Sequence, residues 1–277
     1  MRSALAAGSS IVSRACIQLT PRHIPDAFAL SSIAGWNQTL EDWQLLLKLS
    51  DACYGIEVEG QLAATATLVC YGQTLAWLGM VLTHPDFRRS GFARALVNRA
   101  MQQAKVLGIQ TVKLDATNAG RPLYESLGFS GEQKVERWQR APRAGQSPGG
   151  ARSPCISLDA AACGCNRSQL LMHLTNTSNA ASPSDGYSLD RPGRLNRYLG
   201  PSIALSPQAA RSLIEETIAR HPGTGWFWDL LPANRTAVAI AHEPGFERVR
   251  TLTRMSWGRE LREKTNQIFA LAGLELG

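Results

Sequence analysis

One stretch of this chain has the residue types and spacing to hold an anion. Thr83 to Ala93 reads THPDFRRSGFA, with Arg88 and Arg89 adjacent and Ser90 and Gly91 following, at the junction of an apolar run and a helix-forming run. The first N–H groups of a helix lack internal acceptors and the helix dipole adds partial positive charge there, so phosphate suits the place. Gly91 lets the backbone approach a pyrophosphate, Ala93 keeps the next turn small, and Arg88 and Arg89 supply full charge. An ordinary strand-to-helix turn with solvated arginines would look the same over these eleven residues, so the surroundings must decide. A second group, Cys163-Gly164-Cys165 with Cys155 and His173 nearby, has metal-ligand types. Its spacing fits no zinc pattern, and all six cysteines are read as free thiols, Cys53 and Cys70 in apolar surroundings.

The neighbouring segments are those that would position such a loop. Leu75 to Leu82 reads as a strand entering it. Ala93, Leu96, Val97, Ala100, Met101, Ala104 and Leu107 follow helical spacing out of it, and Gly108 ends that helix. Arg94 lies close enough to the loop to reach a phosphate. Thr111 to Ala116 is a strand with Val112, Leu114 and Ala116 on one face, which completes a right-handed parallel βαβ unit. Cys53 to Val58 and Ala63 to Tyr71 precede it as an antiparallel meander. Thr39 with Asp42 three residues on predicts a capped helix carrying Trp43, Leu46, Leu47 and Leu49. Trp36 and Asn37 precede that helix in a loop, where a large aromatic is either a staple or a ligand-facing wall. Asn118 and Gly120 open a short helix with Pro122 in its first turn, followed by Leu123, Tyr124, Leu127 and Gly128-Phe129.

At 277 residues the chain is long enough for two domains. Its composition, 44% hydrophobic and 18% charged, is that of a globular protein, and it contains no apolar run of membrane-spanning length. The formal charge of +7 is scattered, with Arg137, Arg140, Arg143 and Arg152 in or beside a linker, which favours phosphate-bearing small molecules, or no specific partner, over nucleic acid. Residues 1–14 read as a disordered extension, 15–138 as the first domain, 139–154 as a linker, 155–258 as the second domain and 259–277 as a tail. Asn166 to Leu174 looks helical, and Thr175 to Asp185 is a polar break. Within the second half, Tyr198-Leu199-Gly200-Pro201 parallels Trp77-Leu78-Gly79-Met80, and Gly245-Phe246 parallels Gly128-Phe129. Between them lie helix-like Pro207 to Arg220, strand-like Trp226 to Leu230 and helix-like Asn234 to His242. Pro201 to Ala209 has neither a basic pair nor a loop glycine, so it is not expected to hold pyrophosphate.

With THPDFRRSGFA, the amphipathic helix, LDATNAG and PLYESLGF in this order, residues 15 to 138 resemble the GNAT superfamily of acetyl-CoA-dependent N-acetyltransferases. The whole chain resembles tandem members whose C-terminal domain is degenerate. The resemblance implies an α/β GNAT fold with a mixed sheet, and a cytoplasmic enzyme moving an acetyl group from acetyl-CoA to a primary amine, in the first instance a small molecule. A protein lysine or N-terminus, and a non-catalytic acyl-CoA-binding or regulatory role, are the alternatives. It implies no metal and no membrane. The family loop R/Q-x-x-G-x-G/A is matched by Arg88, Gly91 and Ala93. Backbone of Val81, Leu82 and Thr83 would meet the pantetheine arm, and Arg88, Arg89, Ser90, Gly91, Phe92, Ala93 and Arg94 the pyrophosphate. Asn118 stands where a side chain often meets the cofactor, and Tyr124 matches the tyrosine that protonates the departing thiolate. The wording GWNQT makes Trp36 and Asn37 acceptor-lining candidates. The general base stays open among Asp115, Asp42, His84 and a water.

Overall fold

The computed structural model describes residues 15–50, 52–143, 154–175 and 185–277. The expected extension at 1–14, much of the linker and most of the break from Thr175 to Asp185 lie outside these residues. In chain order the first half comprises β1 (Ile17–Gln18), α1 (Ile24–Ile33), α2 (Leu40–Leu49), β2 (Ala52–Val58), β3 (Gln61–Tyr71), β4 (Leu75–Thr83), α3 (Phe92–Val106), β5 (Thr111–Ala116), α4 (Arg121–Glu125) and β6 (Ser130–Arg140). The second comprises α5 (Ile156–Cys163), α6 (Ser168–Thr175), β7 (Gly186–Arg191), β8 (Arg197–Ala204), α7 (Pro207–Ala219), β9 (Trp226–Leu230), α8 (Arg235–His242), β10 (Glu247–Gly258) and β11 (Ile268–Ala270).

Local chemistry accounts for the elements nearest the loop. The Asp42 backbone N–H donates to Thr39 Oγ1 (3.1 Å) and the Thr39 N–H to Asp42 Oδ2 (2.9 Å), so α2 begins with the expected capping box. Helix α3 buries Phe92, Leu96, Val97, Ala100, Met101 and Ala104 against β2, β3 and β4, while Leu107 lies outside the helix and is exposed. On the opposite face of β3 and β4 lie α1 and α2. In the second half α7 and α8 cover β8 and β9 around Trp226, Trp228 and Phe246.

The strands form one sheet in the order β1-β2-β3-β4-β5-β10-β6-β9-β8-β11, with β7 also paired to β8. The two halves therefore exchange strands β6 and β10. β10 lies antiparallel between β5 and β6, and β6 pairs on its far side with β9. Neither compact half is contiguous in sequence: the first is completed by 247–258 and the second by 130–140.

Two sequence expectations are corrected here. The linker boundary at 138/139 falls inside β6, where Arg137 and Arg140 are buried strand residues, and Arg137 donates twice to Asp229 (2.7 Å each). The stretch 259–277 is not a loose tail. β11 pairs with β8, Trp77 Nε1 donates to the Leu274 carbonyl (2.9 Å), and the Tyr71 hydroxyl donates to the Leu276 carbonyl (2.6 Å). The apolar side chains Ile268, Phe269, Leu271 and Leu276 bury there, which is why it holds to the sheet.

Candidate active site

β4 and β5 pair in parallel only at Leu75–Thr111, Ala76–Val112 and Trp77–Lys113. Beyond Trp77 they part, and a cleft of about 210 Å³ opens between them. Two devices shape the β4 side. Thr65 lies opposite Leu82 but Thr67 opposite Gly79, so Met80 and Val81 together face Ala66 in a bulge. Met80 takes a left-handed φ of 47°, costly for a side chain of its kind, and Thr65 Oγ1 donates to its carbonyl (2.8 Å). The bulge turns Val81 toward the cleft. At Gly79 a Cβ would lie 2.9 Å from the Glu275 carbonyl oxygen, so only glycine lets the C-terminal segment lie across the strand.

The α3 end of the cleft is the predicted anion site. Gly91 sits at the helix N-cap with φ 85°, a conformation glycine adopts without strain, and offers no side chain to the helix. The N–H groups of Arg89 to Arg94 have no acceptor among the described residues. Arg88, Arg89 and Gly91 are exposed, Ser90 is half-buried, and Ala93 lines the cleft. Phe92 is a core side chain, so only its N–H faces outward. Arg94 donates to Ser126 Oγ (2.8 Å). Leu82 is buried and Thr83 half-buried at the strand end.

Tyr124, on α4, lines the cleft beside Leu123 and Gly120. Its ring meets Phe129 edge-on at 6.0 Å between centroids, and its hydroxyl has no hydrogen-bond partner among the described residues. Burial pushes the phenol well above its ordinary value, so it stays protonated through neutral pH. Asn118 is exposed on the loop after β5 and does not line the cleft; Thr117 does.

The two acceptor-side candidates part company. Trp36 lines the cleft. Asn37 is buried elsewhere: its Oδ1 accepts from the N–H groups of Leu195 (2.7 Å) and Asn196 (3.1 Å), and its Nδ2 donates to the Asn196 carbonyl (2.9 Å). All its polar atoms are occupied in clamping the loop before β8, which corrects the expectation that it lines an acceptor. Among the general-base candidates, Asp115 lines the cleft but accepts two bonds from Arg254 (3.0 and 3.1 Å). Asp42 is held by Thr39 and Arg191, and His84 accepts from the Asp86 N–H outside the cleft.

Five polar cleft residues escaped the sequence reading: Gln38, Thr117, Arg137, Arg250 and Glu275. Gln38 adjoins the GWN wording that drew attention to its neighbours. No sequence signal ties Glu275 to Tyr124, because the chain returns to the cleft only after completing the second half. Burial raises the Glu275 carboxyl above the usual range, with Asp42 adding to the rise and Arg191 opposing it.

The equivalent places in the second half are closed. β8 and β9 pair from Arg197–Trp226 to Leu199–Trp228 and then part, but β11 fills the gap. Trp228 Nε1 donates to the Phe269 carbonyl (2.8 Å) and the Leu271 N–H to the Asp229 carbonyl (2.8 Å). The start of α7 is capped from within, Ser206 Oγ accepting from the Ala209 N–H (3.2 Å), and Pro207 has no N–H to offer.

Two family models match the chain: one described as acetyltransferase (GNAT) family over residues 22–129, the other as acetyltransferase (GNAT) domain over 155–270. The second match takes in β11. The chain is 27% identical over 225 residues to the uncharacterized N-acetyltransferase YitH of Bacillus subtilis, covering 75% of this chain and 79% of that one. A Pyrococcus horikoshii protein solved as a candidate acetyltransferase superposes with a TM-score of 0.81 over 95% of both chains at 18% identity. A GCN5-related N-acetyltransferase of Sphaerobacter thermophilus does so with 0.61, over 91% of this chain and 99% of that one, at 14% identity. Among the described residues, no helix is long and apolar enough to cross a membrane.

Proposed function

The chain is a tandem GNAT acetyltransferase, and on that premise we propose that its first domain moves an acetyl group from acetyl-CoA to a small primary amine in a ternary complex. The observation that carries this reading is the continuity between the open α3 N-terminus, with its two free arginines, and the cleft that holds Tyr124. The pyrophosphate would lie on the N–H groups of Arg89 to Arg94 with Arg88 and Arg89 around it. The pantetheine arm would follow the edge of β4 that β5 leaves free, from Thr83 through Leu82 to Val81. Acetyl-CoA supplies the thioester; the chain's residues orient it and move protons.

The amine nitrogen attacks the thioester carbon, the C–N bond forms and the C–S bond breaks. Of the two protons the ammonium loses overall, one ends on sulfur and one in solvent. Tyr124 donates to the departing thiolate and recovers its proton from the nitrogen, directly or through water. The bulged backbone at Met80 and Val81 offers a polar contact for the carbonyl oxygen as it gains charge. Asn118, exposed, would serve only the outer part of the cofactor. The second domain would not bind acetyl-CoA, because β11 fills its strand gap and Ser206 caps its helix.

Calorimetric titration with acetyl-CoA tests this. One molecule should bind per chain, and R88Q/R89Q should weaken it by about 10-fold or more, each charge-assisted bond being worth roughly 1.5–3 kcal/mol. Two molecules per chain, or an unaltered affinity in the double variant, would overturn the assignment of the loop.

A further inference from the structure

The part of the cleft contributed by β10, β6 and the C-terminal segment carries charges that the acetyl-transfer reading leaves unused. Arg250 is half-buried in the cleft, yet it makes no hydrogen bond or ion pair among the described residues. Its position is built rather than incidental. A bulge at Val249 sets Arg250 directly across from Arg137, which in turn lies across from Asp229 on β9. Arg137 already takes both Asp229 oxygens, so that carboxylate cannot also serve Arg250 fully. Leu252, two residues on, shares the cleft face with Arg250.

At Glu275 the groups are of the opposite kind. Glu275 Oε1 accepts from Arg191 Nη2 (2.5 Å) and Oε2 from Gln38 Nε2 (2.9 Å), which leaves lone pairs on both oxygens. Gln38 is only 4% exposed, its Nε2 also donates to the Tyr198 hydroxyl (3.2 Å), and its Oε1 has no donor among the described residues. An unpaired buried carbonyl beside a carboxylate calls for a ligand with several N–H donors. Burial raises the Glu275 carboxyl and, with Arg137 alongside, lowers the Arg250 guanidinium, so each charge would gain from an opposite one. Asp42, Asp229 and Glu275 balance Arg137, Arg191 and Arg250, so the wall presents an anionic end and a cationic end with no net charge of its own.

Resting on the acetyl-transfer reading, we propose that this wall is the acceptor site and that the acceptor is a small primary amine carrying an anionic group. Glu275 and the Gln38 carbonyl take the ammonium, and Arg250 takes the carboxylate or phosphate at the other end. Glu275 also accepts the first ammonium proton and passes it to solvent, which frees the nitrogen lone pair for the thioester carbon.

The experiment is a panel of α-, β- and γ-amino acids, each with its uncharged amide, together with phosphoethanolamine and ethanolamine. Acetylated products are measured by mass spectrometry and kcat/KM for the wild type and for R250Q. Expected is a preference of at least tenfold for the anionic member of a pair, collapsing toward unity in R250Q. A ratio between two substrates is unaffected by loss of folded protein in the variant. Preference for amino acids over their amides assigns the anion as carboxylate, and preference for phosphoethanolamine over ethanolamine as phosphate. Equal rates within every pair, a preference that survives R250Q, or acetyl-CoA bound without product from any member would overturn the proposal. Failure to bind acetyl-CoA would instead overturn the reading beneath it.

Discussion

Replacing Tyr124 by phenylalanine separates chemistry from folding. The ring keeps its edge-on contact with Phe129 and its place against the helix α3 core, and the lost hydroxyl has no partner to abandon. Stability should therefore stay within about 0.5 kcal/mol of wild type. Acetyl-CoA affinity should hold as well, because on the proposed reading the cofactor's charge is met at Arg88 to Arg94, away from this ring. Catalysis should not. A positioned acid is worth about 10²–10⁴-fold, or roughly 3–5 kcal/mol of barrier at about 1.4 kcal/mol per tenfold. The assay follows thiol release from acetyl-CoA with the best amine of the panel, alongside calorimetric binding and urea denaturation. A fall in kcat with constant acetyl-CoA Kd and constant midpoint is the expected pattern. An unchanged kcat would remove the phenol from proton delivery, and a matched loss in Kd would make Tyr124 a binding residue.

Gly79→Ala should destabilise by about 1–3 kcal/mol, since its Cβ would press on the Glu275 backbone; urea denaturation reads this, and an unchanged midpoint would show that the C-terminal segment yields freely. Arg254→Met leaves Asp115 buried without its cation and should cost about 3–5 kcal/mol, with most of the loss recovered when Asp115→Leu is added; a single-variant loss below about 1 kcal/mol would mean that the pair does not hold β5 to β10. Glu275 must be ionised to take a proton and its pKa is raised, so activity should fall as pH drops through a value above the ordinary 4.5 for a glutamate. That acid limb should vanish from the residual rate of Glu275→Gln, and its persistence there would assign it to another group. Tyr124, also raised, should add no alkaline limb near neutral pH.

Much of the first half was legible because its signals are local. The capping box at Thr39 and Asp42, the apolar period of α3, the glycine ahead of it and the span of β5 depend on neighbours within a turn or a strand. That the second half lacks the arginine- and glycine-bearing loop was legible too, between Pro201 and Ala209. What stands there instead was not: Ser206 caps the helix, and β11 fills the gap where β8 and β9 part. Asn37 shows how a correct motif can mislead, because its place beside Trp36 says nothing of the loop from residue 194 to 196 that consumes its side chain.

By itself the sequence determined the two GNAT units, the arginine- and glycine-bearing turn ahead of α3 and the tyrosine near it, since each is written within a few consecutive residues. Only the tertiary structure decided the rest of the cleft. An alternating strand pattern does not name its partner, so the exchange that carries β10 between β5 and β6 is invisible until the sheet is assembled. That exchange delivers Arg250, and the packing of the final segment over Gly79 delivers Glu275, to a cleft opened by residues more than a hundred positions earlier.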